Sequence, residues 1–337
     1  MMLLALGLIL CAVLLGPVLI KPVERNIEIF FVIVGALTAA ASGQSSWALL
    51  RTAATAPIAL TTAVLVFGAI ARLTRPALDR GVKRLLRLMS TRCIFFILTI
   101  VLGLLSSVIT AVVAALILVE AISLLKLDRK SEIAAVVLAC FAIGLGAALT
   151  PVGEPLSTIA IGALHADFWY LARLLGWLVV AGILIIELLS LIFPLRPGES
   201  LKAVHDAETW SDVAVRAGKV YLFVAGLVGL SWGFRPLVDQ FVSRMPGSLL
   251  FWLNSISAVV DNATLTAAEI GPSLSAAQQR AILMGLLISG GMLIPGNIPN
   301  IVAAERLGIS SREWARVGLI TGLPLMALCF AVLLWMN

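Results

Sequence analysis

The chain contains 337 residues, of which 61% are hydrophobic and only 12% are charged, and its net charge is +6. A soluble domain of this length carries more charge on its surface, so the composition predicts an integral membrane protein that has the lipid bilayer as a partner. The positive charges lie in short segments between apolar runs, where they set membrane topology. We therefore expect no nucleic acid as a partner.

Several classes of function are disfavoured by what the sequence lacks. The four cysteines, Cys11, Cys93, Cys140 and Cys329, stand singly, so neither a disulfide framework nor a metal cluster is predicted. No G-x-S-x-G, H-E-x-x-H or P-loop pattern occurs, and two histidines offer little acid–base machinery. We expect neither an enzyme nor a protein that carries a cofactor.

Residues 1–92 are predicted to form a scaffold of membrane spans. A span needs about 20 apolar residues, and hydropathy predicts three of them, near 2–20, 27–43 and 52–71. A basic loop over 72–92 follows, with seven cations against a single acid, Asp79, which indicates the cytoplasmic side. Counting back from that loop places the N-terminus outside.

Residues 93–125 are apolar, too long for one span and too short for two spans with a loop. A polar break from Ser106 to Thr110 lies near the centre, and the basic stretch 126–130 follows. A plain spanning helix would place that basic stretch outside, against the positive-inside rule. The segment is therefore predicted to be a re-entrant hairpin that enters from the cytoplasm and returns to it.

The rest of the chain is predicted to repeat this order of elements. Residues 132–165 form a broken span, 168–193 a returning span, and 196–216 a cytoplasmic linker suited to a surface amphipathic helix. After the linker we expect a span, a hairpin that enters from outside, a second broken span and an outward span, over 217–233, 248–272, 279–307 and 314–335. The predicted fold is an all-α polytopic membrane protein with about eight full spans and the C-terminus outside.

Proline and glycine interrupt both broken spans at the middle, at Thr150–Pro155 and at Ile294–Pro299. Unwound backbone is tolerated at membrane depth only where it is packed inside protein or lines a watery cavity. A matched pair of such interruptions is the best sequence pointer to the binding site of a transporter. The pair therefore predicts a transporter.

The two interruptions also predict an internal repeat. When the first prolines of the two breaks are set together, Gly153 pairs with Asn297 and Leu156 pairs with Asn300. One hairpin enters from inside and the other from outside, so the repeats are inverted. The two repeats are residues 93–195 and 217–337.

At this point the chain resembles a known group of proteins. The order of elements is similar to that of the ion transporter superfamily, which includes sodium/proton antiporters, divalent-anion/sodium symporters and arsenite carriers. The stretches Ser-Ala-Val-Val-Asp-Asn-Ala-Thr (257–264) and Pro-Gly-Asn-Ile-Pro-Asn (295–300) resemble its uncharacterised cation-transporter branch. The resemblance covers roughly residues 93–335.

The resemblance implies two ion sites, each formed by a hairpin tip and the neighbouring broken helix, because carbonyl, hydroxyl and amide oxygens suit hard cations. The implied first site contains Ser106, Ser107, Thr110, Thr150, Gly153 and Glu154. The implied second site contains Ser257, Asp261, Asn262, Thr264, Pro295, Gly296, Asn297 and Asn300. The symporters of the family carry Ser-Asn-Thr at both tips, whereas this chain lacks the asparagine in the first tip and adds an acid in the second.

Asp261 and Glu154 are the residues expected to hold a monovalent cation, which we take to be sodium. A carboxylate at mid-depth is costly unless it is paired, protonated or bound to a cation. Sodium and protons can therefore compete for one group, which is sufficient for exchange. The alternative for each acid is a structural role as a helix cap.

The predicted function is cation (sodium)/proton antiport by alternating access. The hairpins and the first broken span, over 93–125, 132–165 and 248–279, contain acids but no Lys or Arg. The alternative is a sodium-coupled symporter of a small anion or dicarboxylate, in which sodium compensates the charge. We expect the protein in the cell (inner) membrane, with a small inorganic ion as substrate, and as a homodimer built through residues 1–71.

Overall fold

The computed structural model describes residues 2–20, 22–23, 26–193, 195–198, 209–258 and 262–336. Across these residues the regular elements are helices, apart from an isolated bridge between Leu127 and Pro197. The α-helices are α1 (Met2–Leu19), α2 (Ile27–Ala41), α3 (Trp47–Leu88), α4 (Thr91–Ile109), α5 (Ala111–Leu125), α6 (Arg129–Ala147), α7 (Pro155–Leu164), α8 (Tyr170–Ser190), α9 (Trp210–Gln240), α10 (Gly247–Leu253), α11 (Asn262–Glu269), α12 (Ala276–Gly290), α13 (Ile298–Leu307) and α14 (Ser311–Met336). Short 3-10 turns cover Val242–Arg244, Asn254–Ala258 and Ile294–Gly296.

Six helical segments within the described residues are long and apolar enough to cross a membrane: Trp47–Val66, Thr91–Ile109, Arg129–Ala147, Tyr170–Ser190, Val213–Arg244 and Ser311–Met336. Several shorter apolar helices, α5 and α7 among them, accompany these six. The prediction of an all-α polytopic membrane protein is therefore confirmed, whereas the number of eight full spans stays a prediction.

Two predicted boundaries are wrong. The basic segment 72–92 is not a loop, because α3 continues to Leu88 and α4 begins at Thr91. Arg, Lys and Leu fill most of that segment, and all three are good helix formers. The linker 196–216 also ends earlier than predicted, since α9 begins at Trp210. The amphipathic helix proposed there falls largely on residues 199–208, which lie outside the described residues.

Helices α4 and α5 double back beside α6. A Cβ atom built on Gly103 would lie 3.3 Å from Ala142, and the Thr150 hydroxyl donates to the carbonyl of Ser107, so α4 and α6 run in parallel. The N–H of Ala111, at the start of α5, donates to the Gly153 carbonyl at 2.8 Å. Because α5 ends only a few residues before α6 begins, it runs antiparallel to both helices.

Helices α10 and α12 are also in contact along their lengths. A Cβ atom on Gly247 would lie 3.5 Å from Ala281, and the Ser289 hydroxyl donates to the Asn254 carbonyl at 2.7 Å. Helix α10 therefore runs parallel to α12. The amide of Asn254, just after α10, donates to Glu269, the last residue of α11, at 2.9 Å.

Helices α6 and α12 begin at opposite ends of the molecule. Arg129, at the start of α6, donates to the carbonyls of Leu307 and Gly308 at the end of α13, at 2.9 and 2.7 Å. Tyr170, at the start of α8, donates to Gln279 at the start of α12, at 2.7 Å. Helix α6 therefore starts at one end of the molecule, the Arg129 end, and α12 starts at the other, the Tyr170 end.

Candidate functional site

The candidate site is built around two interruptions of equal length. Residues 148–154 separate α6 from α7 and are called break 1, and residues 291–297 separate α12 from α13 and are called break 2. Helices α7 and α13 contain 10 residues each, and each ends at a residue in the left-handed conformation, His165 and Gly308. Break 1 and α7 can therefore be aligned with break 2 and α13 by one constant difference in residue number.

This offset differs by one residue from the predicted alignment on prolines. Glu154 and Asn297 both occupy the N-cap position, so these two residues correspond, as do Ser157 and Asn300. The two alignments differ because Pro155 is the first residue of α7, whereas Pro299 is the second residue of α13. Both positions lie in the first helical turn, where proline is tolerated because its missing N–H has no partner within the helix.

The buried faces of α8 and α14 match at the same offset. The buried positions of α8 are Leu171, Leu175, Leu178, Val179, Gly182, Ile183, Ile186, Glu187 and Ser190. Those of α14 are Trp314, Gly318, Thr321, Gly322, Leu325, Met326, Cys329 and Leu333. Every buried position of α14 has a buried counterpart in α8, and Glu187 is the one buried residue of α8 whose counterpart, Phe330, is only partly buried.

The tip of the first hairpin contacts break 1. The Thr150 hydroxyl donates to the Ser107 carbonyl, and the Gly153 carbonyl accepts from the N–H of Ala111. A Cβ atom on Gly153 would overlap the Ala147 carbonyl, so the backbone can fold this tightly only at glycine. Thr110 has φ +75°, and its hydroxyl accepts the N–H of Val113 at 3.3 Å, which caps α5. The structure thus brings these predicted site residues together.

The serines of the first tip bind helix carbonyls. The Ser106 hydroxyl lies 2.6 Å from the carbonyl of Gly103 and 3.0 Å from that of Ile143, and it can donate to one of them at a time. The Ser107 hydroxyl donates to the Leu104 carbonyl at 2.8 Å. Their hydroxyl protons are therefore used within the fold. The lone pairs of the serine oxygens stay available to accept a hydrogen bond or to coordinate a cation.

Break 2 is held by Asn300 and lies against the last turns of α6. The Asn300 amide donates to the carbonyls of Gly290 and Leu293, at 2.8 and 2.9 Å, across the interruption. The Asn297 side-chain oxygen accepts from the N–H of Ile298, and its amide nitrogen lies 2.6 Å from a Cβ atom built on Gly144. Gly144 precedes break 1 by one helical turn, about 6 Å, so the two breaks approach each other inside the molecule.

The other predicted residues of the second site are only partly described. Asp261 lies outside the described residues, and the side chain of Ser257 is likewise not described. Asn262 and Thr264 are buried on α11. In break 2, Gly296 is buried and Pro295 is exposed.

Glu154 is the described acid of the site. Its residue is 2% exposed, and although it occupies the N-cap position of α7, its side chain makes no capping hydrogen bond. The side chain of Glu154 therefore does not act as a helix cap, which was the alternative to an ion-binding role. A buried carboxylate is expensive unless a proton or a cation compensates it.

Two buried polar residues, one beside break 1 and one outside both breaks, were not predicted from the sequence. Ser157 is fully buried, and its hydroxyl has no hydrogen-bond partner among the described residues; the register that pairs it with Asn300 would have revealed it. Glu187 is buried in α8, and the signal for it was an acid inside a predicted span.

These observations define an integral membrane protein whose helices surround two unwound, buried interruptions. The family model described as "Protein of unknown function (DUF1646)" matches residues 3–336, and the chain belongs to this family. No curated protein matches the chain.

Proposed function

We propose that this protein is a secondary active transporter that exchanges sodium for protons by alternating access. The observation that carries the proposal is the pair of seven-residue breaks, which are followed by helices of equal length and lie close together. Such paired interruptions in oppositely directed helices are the architecture in which transporters bind ions at mid-depth.

The proposal includes an inverted repeat in the membrane. Helices α4 and α5 would form the hairpin that enters from the cytoplasm, and α10 and α11 the hairpin that enters from outside. Each hairpin with its broken helix would move against a scaffold that includes α1 to α3, with both termini outside in the inner membrane. A homodimer would be built through residues 1–71 of that scaffold.

The charge of the candidate site favours a cation. Glu154 is buried at break 1, and Asp261 is predicted to belong to the second tip. Helices α5, α7 and α11 contain no Lys or Arg, and α4 contains none after Arg92. A carboxylate that binds either sodium or a proton makes the two ions compete, and this competition alone yields exchange.

The alternative is a sodium-coupled symporter of a small anion or dicarboxylate. The amide nitrogens of Asn262 and Asn297 are buried, and neither has a hydrogen-bond partner among the described residues. The Asn297 amide at the N-terminus of α13 could bind a carboxylate, because helix N-termini favour negative charge. This observation keeps the second function open.

Proteoliposomes that contain a pH-sensitive dye distinguish the two functions. A sodium pulse is expected to move protons if the protein is an antiporter, and lithium and potassium at two pH values define the cation preference. Asp261→Asn is expected to abolish this movement. Sodium-dependent uptake of a labelled dicarboxylate without proton movement would reject antiport and support the symporter.

A further inference from the structure

Glu187 is a buried carboxyl that lies outside both breaks. The residue is 1% exposed, and neither carboxylate oxygen makes a hydrogen bond of normal geometry within the described part of the chain. An isolated ionised carboxylate in such a place costs many kcal/mol, so a buried acid without a cation is held in its neutral form. The charge state of Glu187 therefore needs an explanation.

The position of Glu187 follows from the packing of α8 on α4. A Cβ atom on Gly103 would lie 3.3 Å from the side chain of Ile183, so these residues oppose each other. Thr99 and Glu187 each lie one turn further toward the Arg129 end, and the carboxyl lies beside the hydroxyls of Thr99 and Ser190. The Thr99 hydroxyl is fully buried and makes no hydrogen bond of normal geometry among the described residues.

The second half shows what this position holds when only packing matters. The counterpart of Glu187 is Phe330. The centroid of its ring lies 5.5 Å from that of Phe251 and 5.4 Å from that of Trp252, both in α10. Three aromatic rings therefore fill the contact between α14 and α10. In the corresponding contact between α8 and α4, the carboxyl of Glu187 lies beside the hydroxyl of Thr99. The fold itself therefore does not require an acid at this position.

No charged group on the neighbouring elements compensates Glu187. Helices α4, α6, α7, α12 and α14 pack against α8. Apart from two thiols, Cys140 and Cys329, the titratable residues that these helices carry lie within about the first two turns of each helix. The full set of titratable residues on these helices is Arg92 and Cys93 of α4, Arg129, Lys130, Glu132 and Cys140 of α6, Arg280 of α12, and Arg312, Glu313, Arg316 and Cys329 of α14.

We infer that Glu187 is a second proton-binding site, set between α4 and α8 and separate from the ions bound at the breaks. The neutral acid can donate its proton to the hydroxyl of Thr99 or Ser190. Because α4 is the outer helix of the first hairpin, its displacement from α8 would admit water to the carboxyl and release the proton. This role in coupling rests on the proposed function and assigns the proton a site distinct from Glu154.

Infrared difference spectroscopy between two pH values tests proton binding without any transport. The purified wild-type protein is expected to show a carbonyl band of a protonated carboxylic acid, and Glu187→Gln is expected to lose one component of it. Glu28→Gln is the matched control, since Glu28 is also buried but pairs with Lys219 at 3.1 Å. An unchanged band in Glu187→Gln overturns the inference. If Glu187→Gln does not fold, Glu187→Met is measured instead, with the same expected loss.

Exchange by the same variants separates this inference from the proposed function. Glu187→Gln is expected to keep sodium binding, measured as a sodium-induced rise in Tm, but to lose the pH dependence of exchange, and Glu187→Asp is expected to restore part of it. Wild-type pH dependence in Glu187→Gln would overturn the inference and leave antiport standing. Absence of proton movement in the wild type would instead reject the proposed antiport and the coupling role of Glu187.

Discussion

At the scale of single residues, two acids in N-cap positions behave differently. Asp128 begins α6, and its carboxylate accepts the N–H of Ser131 at 2.8 Å. Hydrogen bonds from Ser131 hold the pKa of Asp128 below its ordinary value of 3.8, so its contribution to stability is present at neutral pH and is lost as the pH falls through that range. Glu154 occupies the same position at α7 without a capping bond.

This contrast predicts opposite phenotypes. Glu154→Gln is expected to leave Tm nearly unchanged but to weaken sodium binding, because loss of one charged contact costs about 1.5–3 kcal/mol, or roughly 10–100-fold in affinity. Asp128→Ala is the matched control, which is expected to lower Tm and to leave exchange intact. Thermal unfolding in detergent and sodium flux are measured for both variants. A Glu154→Gln protein with normal flux would remove Glu154 from the site.

Asn300 and Ser157 give a second contrast, between support and binding. Asn300→Asp keeps the shape but removes the donor to the carbonyls of Gly290 and Leu293. The Leu293 carbonyl still accepts the N–H of Gly296 at 3.4 Å, so one unsatisfied buried carbonyl, that of Gly290, costs about 1–3 kcal/mol. Ser157→Ala removes a buried hydroxyl that has no partner among the described residues, so stability should not fall. Chemical denaturation measures both changes. Equal destabilisation by the two substitutions would contradict this assignment.

At the scale of elements, close contact between α4 and α6 positions break 1 beside the first tip. A Cβ atom on Gly146 would overlap the carbonyl of Gly103, so Gly146→Ala is expected to push these helices apart and to cost about 1–3 kcal/mol. Gly176→Ala is the control, because no atom lies within 4 Å of its Cβ position. There alanine should stabilise the helix by about 0.5–1 kcal/mol. Unfolding free energies of both variants check the prediction, and a neutral Gly146→Ala would refute it.

The existence of the elements could be predicted from sequence more reliably than their register. Apolar length and the Gly/Pro interruptions located the long apolar helices and both breaks to within a few residues, because lipid leaves few solutions for a backbone. Helix propensity inside the basic segment was underestimated, so the end of α3 at Leu88 was missed. The pairing of Ser157 with Asn300 could not be read from prolines, since proline fits more than one position of a first helical turn.

At the scale of the whole molecule, cations are unequally divided between the two ends. The Arg129 end carries Lys126, Arg129, Lys130, Arg196, Arg306, Arg312 and Arg316, and it receives the basic C-terminal part of α3. The Tyr170 end carries Arg173, Arg235, Arg244 and Arg280. Because cytoplasmic loops carry the excess of Lys and Arg, this distribution predicts that the Arg129 end faces the cytoplasm.

Cysteine labelling tests this orientation. In a background without the natural cysteines, Lys130→Cys marks the Arg129 end and Asp167→Cys marks the Tyr170 end, and both positions are exposed. The ion pair of Asp167 with Arg173 is exposed and contributes little to stability, so its loss should not disturb the fold. In right-side-out vesicles a membrane-impermeant maleimide is expected to label Asp167→Cys directly and Lys130→Cys only after permeabilisation. The reverse pattern would invert the whole topology, and labelling of both sites from outside would show that the chain between them does not cross the membrane as the antiporter requires.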